Sequence, residues 1–302
     1  MIPFQIHTSK HFDFHPICIT SFKGLEPYLY VNPIQTEQEN SSFSHQYQLA
    51  IYRKASKRGI APPVYRCPTK TKKRYHDYYI VRFASEGDLP LYIGKTPSLN
   101  FHQRLNLANQ LCEQLARLHD ELLIFHCNLN PHHILINISK SGAVKLYLTD
   151  FKYATYRGGS YRKKPLSLCI PPEYKFETDF CTYKIPEKIF LETPFLNRKI
   201  DLYALGESLF FIFTGSNFSD SYQNFLDAPQ NIKFVTDANN AIDSYSSYLL
   251  TLDSYKSRFI RLSLKTLPTQ IIDAITGLVK TNPADRISIQ QALELLDASM
   301  TD

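Results

Sequence analysis

A nearly unbroken apolar run extends from Asp201 to Thr214, and it limits the folds open to this chain. A surface helix keeps one polar face, whereas a helix that is apolar on most sides has to be covered by other elements. The nearest candidate for a membrane helix, the wholly apolar stretch Leu209 to Phe213, falls far short of the roughly 20 apolar residues that such a helix needs. We therefore expect a helical core built around this segment, and no transmembrane segment.

A second helix is predicted between Asn100 and Asp120, where apolar residues recur at helical spacing. These residues are Phe101, Leu105, Ala108, Cys112 and Leu115. Two β-type runs follow, Ile134 to Ile138 and Val144 to Thr149, with a turn between them. The last third of the chain is predicted to be helical and to end in a helix from Ile287 to Leu296.

The first third of the chain is predicted to be mainly strands. Short β-type runs cover Ile17 to Phe22, Tyr28 to Val31 and Tyr78 to Phe83, and one helix is expected from Ser42 to Lys57. A chain of 302 residues exceeds the usual size of a single core, so two lobes are expected. This order predicts a small β-rich lobe followed by a large α-rich lobe.

Composition and the N-terminal residues add two expectations. The chain has only 10 glycines, although loops that hold phosphate groups are built from glycine. Its first residues lack a long apolar core behind a positively charged region, so no Sec-type signal peptide is expected. We expect a cytoplasmic location, and export by a specialised route stays open.

Five motifs stand in the order that is typical of one protein family. The segment His126 to Ile136 (HCNLNPHHILI) resembles the catalytic loop H-R-D-L-K-P-x-N-I-L-I of the eukaryotic-type protein kinase superfamily. The other four segments resemble D-F-G, Y-x-A-P-E, D-x-W-S-L-G and D-P-x-x-R. They are, in that order, Asp150 to Lys152, Tyr183 to Glu187, Asp201 to Gly206 and Asn282 to Arg286.

The resemblance implies an α+β, bilobal protein-kinase-like fold in a single domain, 1–302. It places a β-rich N-lobe with one helix at 1–82, a hinge at 83–88 and a mainly α-helical C-lobe at 89–302. It also implies a nucleotide cleft between the lobes, where active members of the family use ATP and Mg²⁺. The positions that the alignment assigns to this cleft are Asn32, Gln46, Arg82, Phe83 and Ala84.

The catalytic-loop positions depart from the family pattern. Asn128 stands at the position of the aspartate base, and an amide cannot take up a proton at neutral pH. Asn130 replaces the lysine of the loop, and His133 replaces the metal-binding asparagine. Cys127 replaces the arginine that receives an activation-loop phosphate. The resemblance therefore implies that no catalytic position in this loop is intact.

The N-lobe positions depart from the pattern as well. Asn32 stands where the family has its phosphate-binding lysine, and Gln46 stands where the family has the glutamate partner of that lysine. The segment from Ser9 to Phe14 has no glycine where the family has a glycine-rich loop. Side chains with a Cβ atom restrict the backbone there, so N–H groups cannot readily converge on phosphate oxygens.

Asp150 keeps the metal-binding carboxylate of the D-F-G motif. A lone carboxylate binds Mg²⁺ weakly without phosphate co-ligands. The alternative interpretation makes Asp150 a turn residue or a salt-bridge partner of Lys152. His132 and His133 are a candidate replacement base or metal ligand, but side chains at adjacent positions generally point in different directions.

Four positions of the family's structural framework persist. His126 and Asp201 match residues that hold the catalytic loop and anchor it to the buried helix. Glu187 and Arg286 match a buried ion pair. We expect a structural role for all four residues.

The missing groups predict a pseudokinase, a catalytically deficient protein that works by binding a protein partner, with ATP and Mg²⁺ contributing little. The alternative is a divergent active kinase or another ATP-dependent transferase. It would use Asp150 together with relocated groups, with Lys10, Lys23 or Lys152 on phosphate and His133 on metal.

A basic stretch between residues 53 and 74 contains nine Lys and Arg residues and no acidic one. They are Arg53, Lys54, Lys57, Arg58, Arg66, Lys70, Lys72, Lys73 and Arg74. One interpretation is a site for an anionic partner, such as acidic lipid headgroups, nucleic acid or an acidic protein tail. The other is a solvated helix end and hairpin.

Overall fold

A computed structural model gives the architecture of the chain. It describes residues 7–8, 17–20, 28–31, 41–68, 77–82, 85–157, 194–228, 231 and 245–300. The first part holds a five-stranded antiparallel sheet in the order β1-β2-β3-β5-β4. The strands are β1 His7–Thr8, β2 Ile17–Thr20, β3 Tyr28–Val31, β4 Val64–Pro68 and β5 Asp77–Arg82.

One helix, α1, interrupts this sheet in the sequence and runs over Ser41–Lys57. Its apolar residues Leu49, Ile51, Tyr52 and Ala55 are buried, while its remaining described face is largely exposed. Gly59 has a φ of 69° and ends the turn that follows, a left-handed conformation that glycine adopts readily. The predicted strands and the predicted helix of this part of the chain are confirmed to within about three residues at each end.

Seven further helices follow in the described residues. They are α2 Leu89–Lys95, α3 Phe101–Asp120, α4 Pro194–Thr214, α5 Phe218–Asp227, α6 Tyr245–Ser263, α7 Thr269–Leu278 and α8 Ile289–Ala298. Helix α4 contains the apolar run, and its residues from Ile200 to Phe210 are all buried. It lies against α3 and α7. The prediction of a helical core around this segment is therefore confirmed.

Helix α3 begins with a complete capping arrangement. The Asn100 side chain accepts a hydrogen bond from the Gln103 backbone N–H, and the Gln103 side chain accepts one from the Asn100 backbone N–H. Each bond satisfies a donor that the first helical turn leaves without a partner. The apolar stripe of α3 is buried, which confirms the helix predicted from its spacing.

Two small antiparallel sheets carry the loops described below. One has the order β6-β8-β9, with β6 Gly87–Asp88, β8 Ile134–Ile138 and β9 Val144–Leu148. The other pairs β7 Ile124–Phe125 with β10 Thr155–Tyr156. Together these sheets bring the segments at 126–133 and 149–151 side by side.

Small antiparallel sheets and predominantly helical packing make an α+β fold, as the resemblance implies. Within the described residues, no helix has the length and apolar character needed to cross a membrane. The lobe boundaries at 82 and 89 stay predictions, and the hinge residues Phe83 and Ala84 lie outside the described residues.

Candidate functional site

The buried carboxylate of Asp201 on α4 anchors the segment that resembles the catalytic loop. Its Oδ2 atom accepts hydrogen bonds from the backbone N–H of His126 at 2.7 Å and from His119 Nε2 at 2.8 Å. Its Oδ1 atom accepts one from the backbone N–H of Cys127 at 2.7 Å. Charge-assisted bonds of this length are among the stronger ones in proteins. They fix the loop at its first two residues.

The neighbouring Cys127 is fully buried and has a positive φ of 56°. This conformation is costly for a residue with a Cβ atom, so the bond from its N–H to Asp201 helps to hold it. Burial is the main cause that raises the pKa of its thiol, and the nearby Asp201 carboxylate adds to the effect. The thiol is therefore neutral and acts as a packing group.

His126 links the loop to the segment before Asp150. Its Nε2 atom donates to the backbone carbonyl of Thr149 at 2.8 Å, and its ring lies 5.0 Å from the Phe151 ring. Burial is the main cause that lowers the pKa of His126. The imidazole is therefore neutral at pH 7, and it tethers two loops by one hydrogen bond and one ring contact.

Helix α1 reaches the same segment through Tyr52. The Tyr52 ring packs edge-on against the Phe151 ring, with centroids 5.2 Å apart, and its hydroxyl lies 2.8 Å from Thr149 Oγ1. Phe151 thus lies between a ring of α1 and the His126 ring. These contacts connect α1 to the loop segments.

Two side chains approach the same carboxylate oxygen of Asp150. Asn128 Nδ2 donates to Asp150 Oδ2 at 3.0 Å, and His133 Nε2 lies 3.1 Å from that oxygen. Asp150 itself has a left-handed backbone, with φ 57° and ψ 62°. Three sequence-predicted site residues, at the positions of the family's base, metal-binding asparagine and metal-binding aspartate, therefore meet in one cluster.

The Nδ1 atom of His133 faces one donor and one acceptor. It lies 2.8 Å from Asn130 Nδ2 and 2.7 Å from the backbone carbonyl of Asn128. Asn130 Oδ1 accepts from the His132 N–H, so the Asn130 amide group points its donor at His133. The carbonyl accepts only when Nδ1 carries a proton, whereas the amide donates only to an Nδ1 without one, so these two contacts belong to different tautomers.

His132 points away from this cluster. Its Nδ1 atom lies 2.9 Å from Asp88 Oδ2. The other oxygen of Asp88 caps α2 by accepting from the Leu91 N–H at 2.9 Å. Asp88 is only 8% exposed. Its contact with His132 joins the start of α2 to the turn within the catalytic-loop segment. The two adjacent histidines thus serve two different carboxylates.

The cluster around Asp150 offers few free groups for the metal site that the resemblance implies. Asp150 Oδ2 already accepts a hydrogen bond from Asn128 Nδ2, and the metal-binding role of Asp150 stays a prediction. No group of three or more His, Cys, Asp or Glu side chains suited to a metal ion occurs among the described residues. The polar groups of this site bind one another.

Arg286 holds the end of the chain to α4. It is 3% exposed, and its guanidinium donates to the backbone carbonyls of Lys199, Lys280 and Thr281. It also lies 4.9 Å from the ring centroid of Tyr203. Its predicted partner Glu187 lies outside the described residues, so the buried ion pair between them stays a prediction.

Other predicted site positions cannot be placed with their side chains. Several of them lie outside the described residues, namely Asn32, Phe83, Ala84 and the segment from Ser9 to Phe14. Gln46 lies on α1 and Arg82 ends β5, but the structure describes neither side chain, nor that of Lys152. The proposed lysines Lys10 and Lys23 also lie outside the described residues.

Four residues of the site were not singled out from the sequence: Tyr52, Asp88, His119 and Thr149. Asp88 carries a usable signal, because an aspartate directly before Leu89-Pro90 is typical of a helix start. No such signal marks the other three residues, Tyr52, His119 and Thr149. The apolar face of a helix, the end of a helix and the end of a strand explain these residue types equally well.

Comparisons with known proteins agree with this geometry. Residues 41–295 match the family model described as protein kinase domain. A probable serine/threonine-protein kinase of Dictyostelium discoideum, fhkA, is 22% identical over 229 residues, which cover 72% of this chain and 36% of that protein. The chain thus spans little more than a third of the length of this relative. Because the family model covers most of the chain, the chain belongs to the protein kinase family.

Proposed function

We propose that this protein is a pseudokinase, a catalytically deficient member of the family that works by binding a protein partner. The observation that carries the proposal is the hydrogen bond that Asn128 donates to Asp150, with His133 Nε2 3.1 Å from the same oxygen. In phosphoryl transfer, the corresponding positions supply a base for the acceptor hydroxyl and ligands for the metal ions. Here the residue at the position of the base acts as a hydrogen-bond donor to the residue at the metal-binding position.

The chemistry of the individual groups supports this proposal. Asn128 has no basic atom that could accept the proton of a substrate hydroxyl at neutral pH. The Asn128 amide donates to the Asp150 oxygen that a metal ion would need. A divalent cation at this oxygen would have to compete with that hydrogen bond, and a lone carboxylate binds Mg²⁺ weakly. ATP and Mg²⁺ therefore contribute little to the proposed function.

The proposed partner is a protein, and the proposed location is the cytoplasm. The kinase-like framework around Asp201 is well bonded even though the catalytic groups are replaced. A preserved framework with replaced catalytic groups favours a binding module over an enzyme.

A transfer assay tests the proposal. Wild-type protein and the Asp150→Ala variant are incubated with labelled ATP, Mg²⁺ or Mn²⁺ and a generic protein substrate. We expect no more label on the substrate with wild type than with the variant. Asp220→Ala, which changes an exposed acid at the start of α5, is the matched control for any general effect of losing a carboxylate.

A second candidate function is a divergent transferase, and one observation favours it. Asp150 is retained, and its side chain is 23% exposed, so a ligand can reach it. His133 on metal and relocated lysines would then replace the missing groups. In the same assay, metal-dependent transfer that is lost in Asp150→Ala and kept in Asp220→Ala would establish this function and reject the pseudokinase.

A further inference from the structure

The C-terminal half of α1 and the residue after it expose four basic side chains outside the cluster described above. Arg53, Lys54, Lys57 and Arg58 are all exposed. Within the described part of the chain, none of them forms an ion pair with an acidic side chain. Positive side chains stabilise the end of a helix, but the effect is confined to the last turn and does not account for four of them.

Cations from distant parts of the sequence lie beside this helix end. Arg117 on α3 donates to the backbone carbonyl of Arg58. The exposed Lys145 of β9 has its Nζ atom 3.6 Å from the position that a Cβ atom would occupy at Gly59. The fold therefore extends the basic region beyond the stretch that is continuous in sequence.

An aromatic ring from the segment after Asp150 also borders this helix end. Lys54 Nζ lies 4.9 Å from the ring centroid of Tyr156. We name the whole region the α1 basic surface. It consists of Arg53, Lys54, Lys57, Arg58, Arg117 and Lys145. Among these cations, Arg117 has an acidic neighbour, Glu121 at 3.2 Å.

The arrangement of these charges fits an extended chain of carboxylates. Arg53 and Lys57 are one helical turn apart on α1, so their Cβ atoms are separated by about 5–6 Å. Arg58 follows in the turn after the helix. Alternate side chains of an extended polypeptide repeat at about 6.6 Å. An acidic segment can thus place successive carboxylates against successive cations.

A membrane fits the surface less well. Interfacial helices bind lipid by inserting an apolar face below their charged face. The apolar face of α1 is occupied, because Leu49, Ile51, Tyr52 and Ala55 are buried in the protein core. Only the charged face remains for a partner.

We propose that the α1 basic surface binds an extended, Asp- and Glu-rich segment of a partner protein. This inference does not depend on whether Asp150 supports catalysis, since the surface and the cluster share no side chain. It adds to the proposed function the chemistry that the partner has to present.

The test measures binding of a fluorescently labelled peptide of alternating Glu and Ser residues by anisotropy at increasing salt. The first variant combines Arg53→Gln, Lys54→Gln, Lys57→Gln and Arg58→Gln. The matched control combines Lys95→Gln, Lys140→Gln, Arg261→Gln and Lys265→Gln, which are exposed elsewhere. Both variants lose four positive charges, and unchanged thermal midpoints show that both are folded.

We expect the peptide to bind wild type and the control with similar affinity, and the first variant about tenfold or more weakly. The affinity of the first variant for the peptide should also depend less on salt than that of wild type, because fewer ion pairs form. An equal loss in both variants would overturn the proposal, since it would show a response to net charge alone. Tighter binding of wild type to phosphatidylserine vesicles than to the peptide would also overturn it, in favour of a lipid partner.

Discussion

Asp201 is the residue that joins the catalytic-loop segment to the helical core. It accepts two backbone N–H bonds and one histidine bond while fully buried. Removing its carboxylate leaves all three donors without their acceptor, and each such buried donor carries a desolvation penalty. The Asp201 carboxylate is therefore expected to stabilise the folded state more than an exposed acidic side chain does.

Asp201→Ala is therefore expected to lower the free energy of unfolding by about 3–5 kcal/mol. Urea denaturation at pH 7 measures the change. Asp227→Ala serves as the control, because Asp227 is exposed and bonds one glutamine side chain, and its effect should stay within about 0.5 kcal/mol. Equal effects of the two substitutions would contradict the anchoring role of Asp201.

His126 gives the protein a pH-dependent contribution to stability. Its pKa in the folded protein lies below the ordinary value of 6.5, chiefly because it is buried. As the pH falls below that value, the unfolded chain binds the proton first, so the free energy of unfolding falls. The loss continues until the pH reaches the lower pKa of the folded state.

His126→Gln is expected to weaken this dependence between pH 6.5 and the folded pKa, where one such group contributes up to about 1.4 kcal/mol per pH unit. A glutamine amide keeps a donor for the Thr149 carbonyl but has no titrating proton. Urea unfolding across this range measures the slope. Wild type measured in parallel gives the reference slope, and an equal slope in His126→Gln would contradict the account.

The contact between His133 and Asp150 shows what the sequence could not predict about the site. The motif alignment identified both residues, but the pairing considered for Asp150 was with its neighbour Lys152. His133 lies in the turn before β8 and Asp150 follows β9, so their distance depends on the pairing of these two strands. Local sequence carries no signal for such a contact.

At the scale of elements, the packing of α4 against α7 depends on a close approach at Gly206. A Cβ atom there would lie 2.6 Å from Val279 Cγ1 and 2.9 Å from Leu278 Cβ. Such distances are too short for carbon atoms, so the helices would have to shift. Alanine favours a helix over glycine by about 1 kcal/mol, but the overlap outweighs this gain.

Gly206→Ala is expected to lower the thermal midpoint, with a loss of about 1–3 kcal/mol from overpacking. Gly94→Ala on α2 is the matched control, because a Cβ atom at Gly94 has nothing within 4 Å. That variant should keep the wild-type midpoint or raise it slightly. A midpoint of Gly206→Ala at or above that of wild type would disprove the close approach.

The helices differ in how well their ends could be predicted. Helix α3 was predicted to within one residue because its apolar stripe is regular and Asn100 provides a cap. Helix α4 begins at Pro194, seven residues before the predicted start at Asp201. Its first turns carry Asn197, Arg198 and Lys199, whose polarity hides the helical pattern, and Arg198 bonds Asp120 instead of entering the core.

At the scale of the whole molecule, the protein joins a kinase framework to replaced catalytic groups. The order of its motifs was enough to predict the family, because five matches at family spacing are specific even when single positions change. It was not enough to predict how the replaced side chains bond one another. The central proposal is that the replaced groups around Asp150 leave no working site for a metal-bound nucleotide.

A thermal unfolding titration with ATP, in the presence and absence of Mg²⁺, tests this claim most directly, since a ligand that binds only the folded state raises the midpoint. The account predicts that Mg²⁺ adds nothing to the midpoint at millimolar ATP, in wild type and in Asp150→Ala alike. A rise that requires Mg²⁺ and disappears in Asp150→Ala would contradict it.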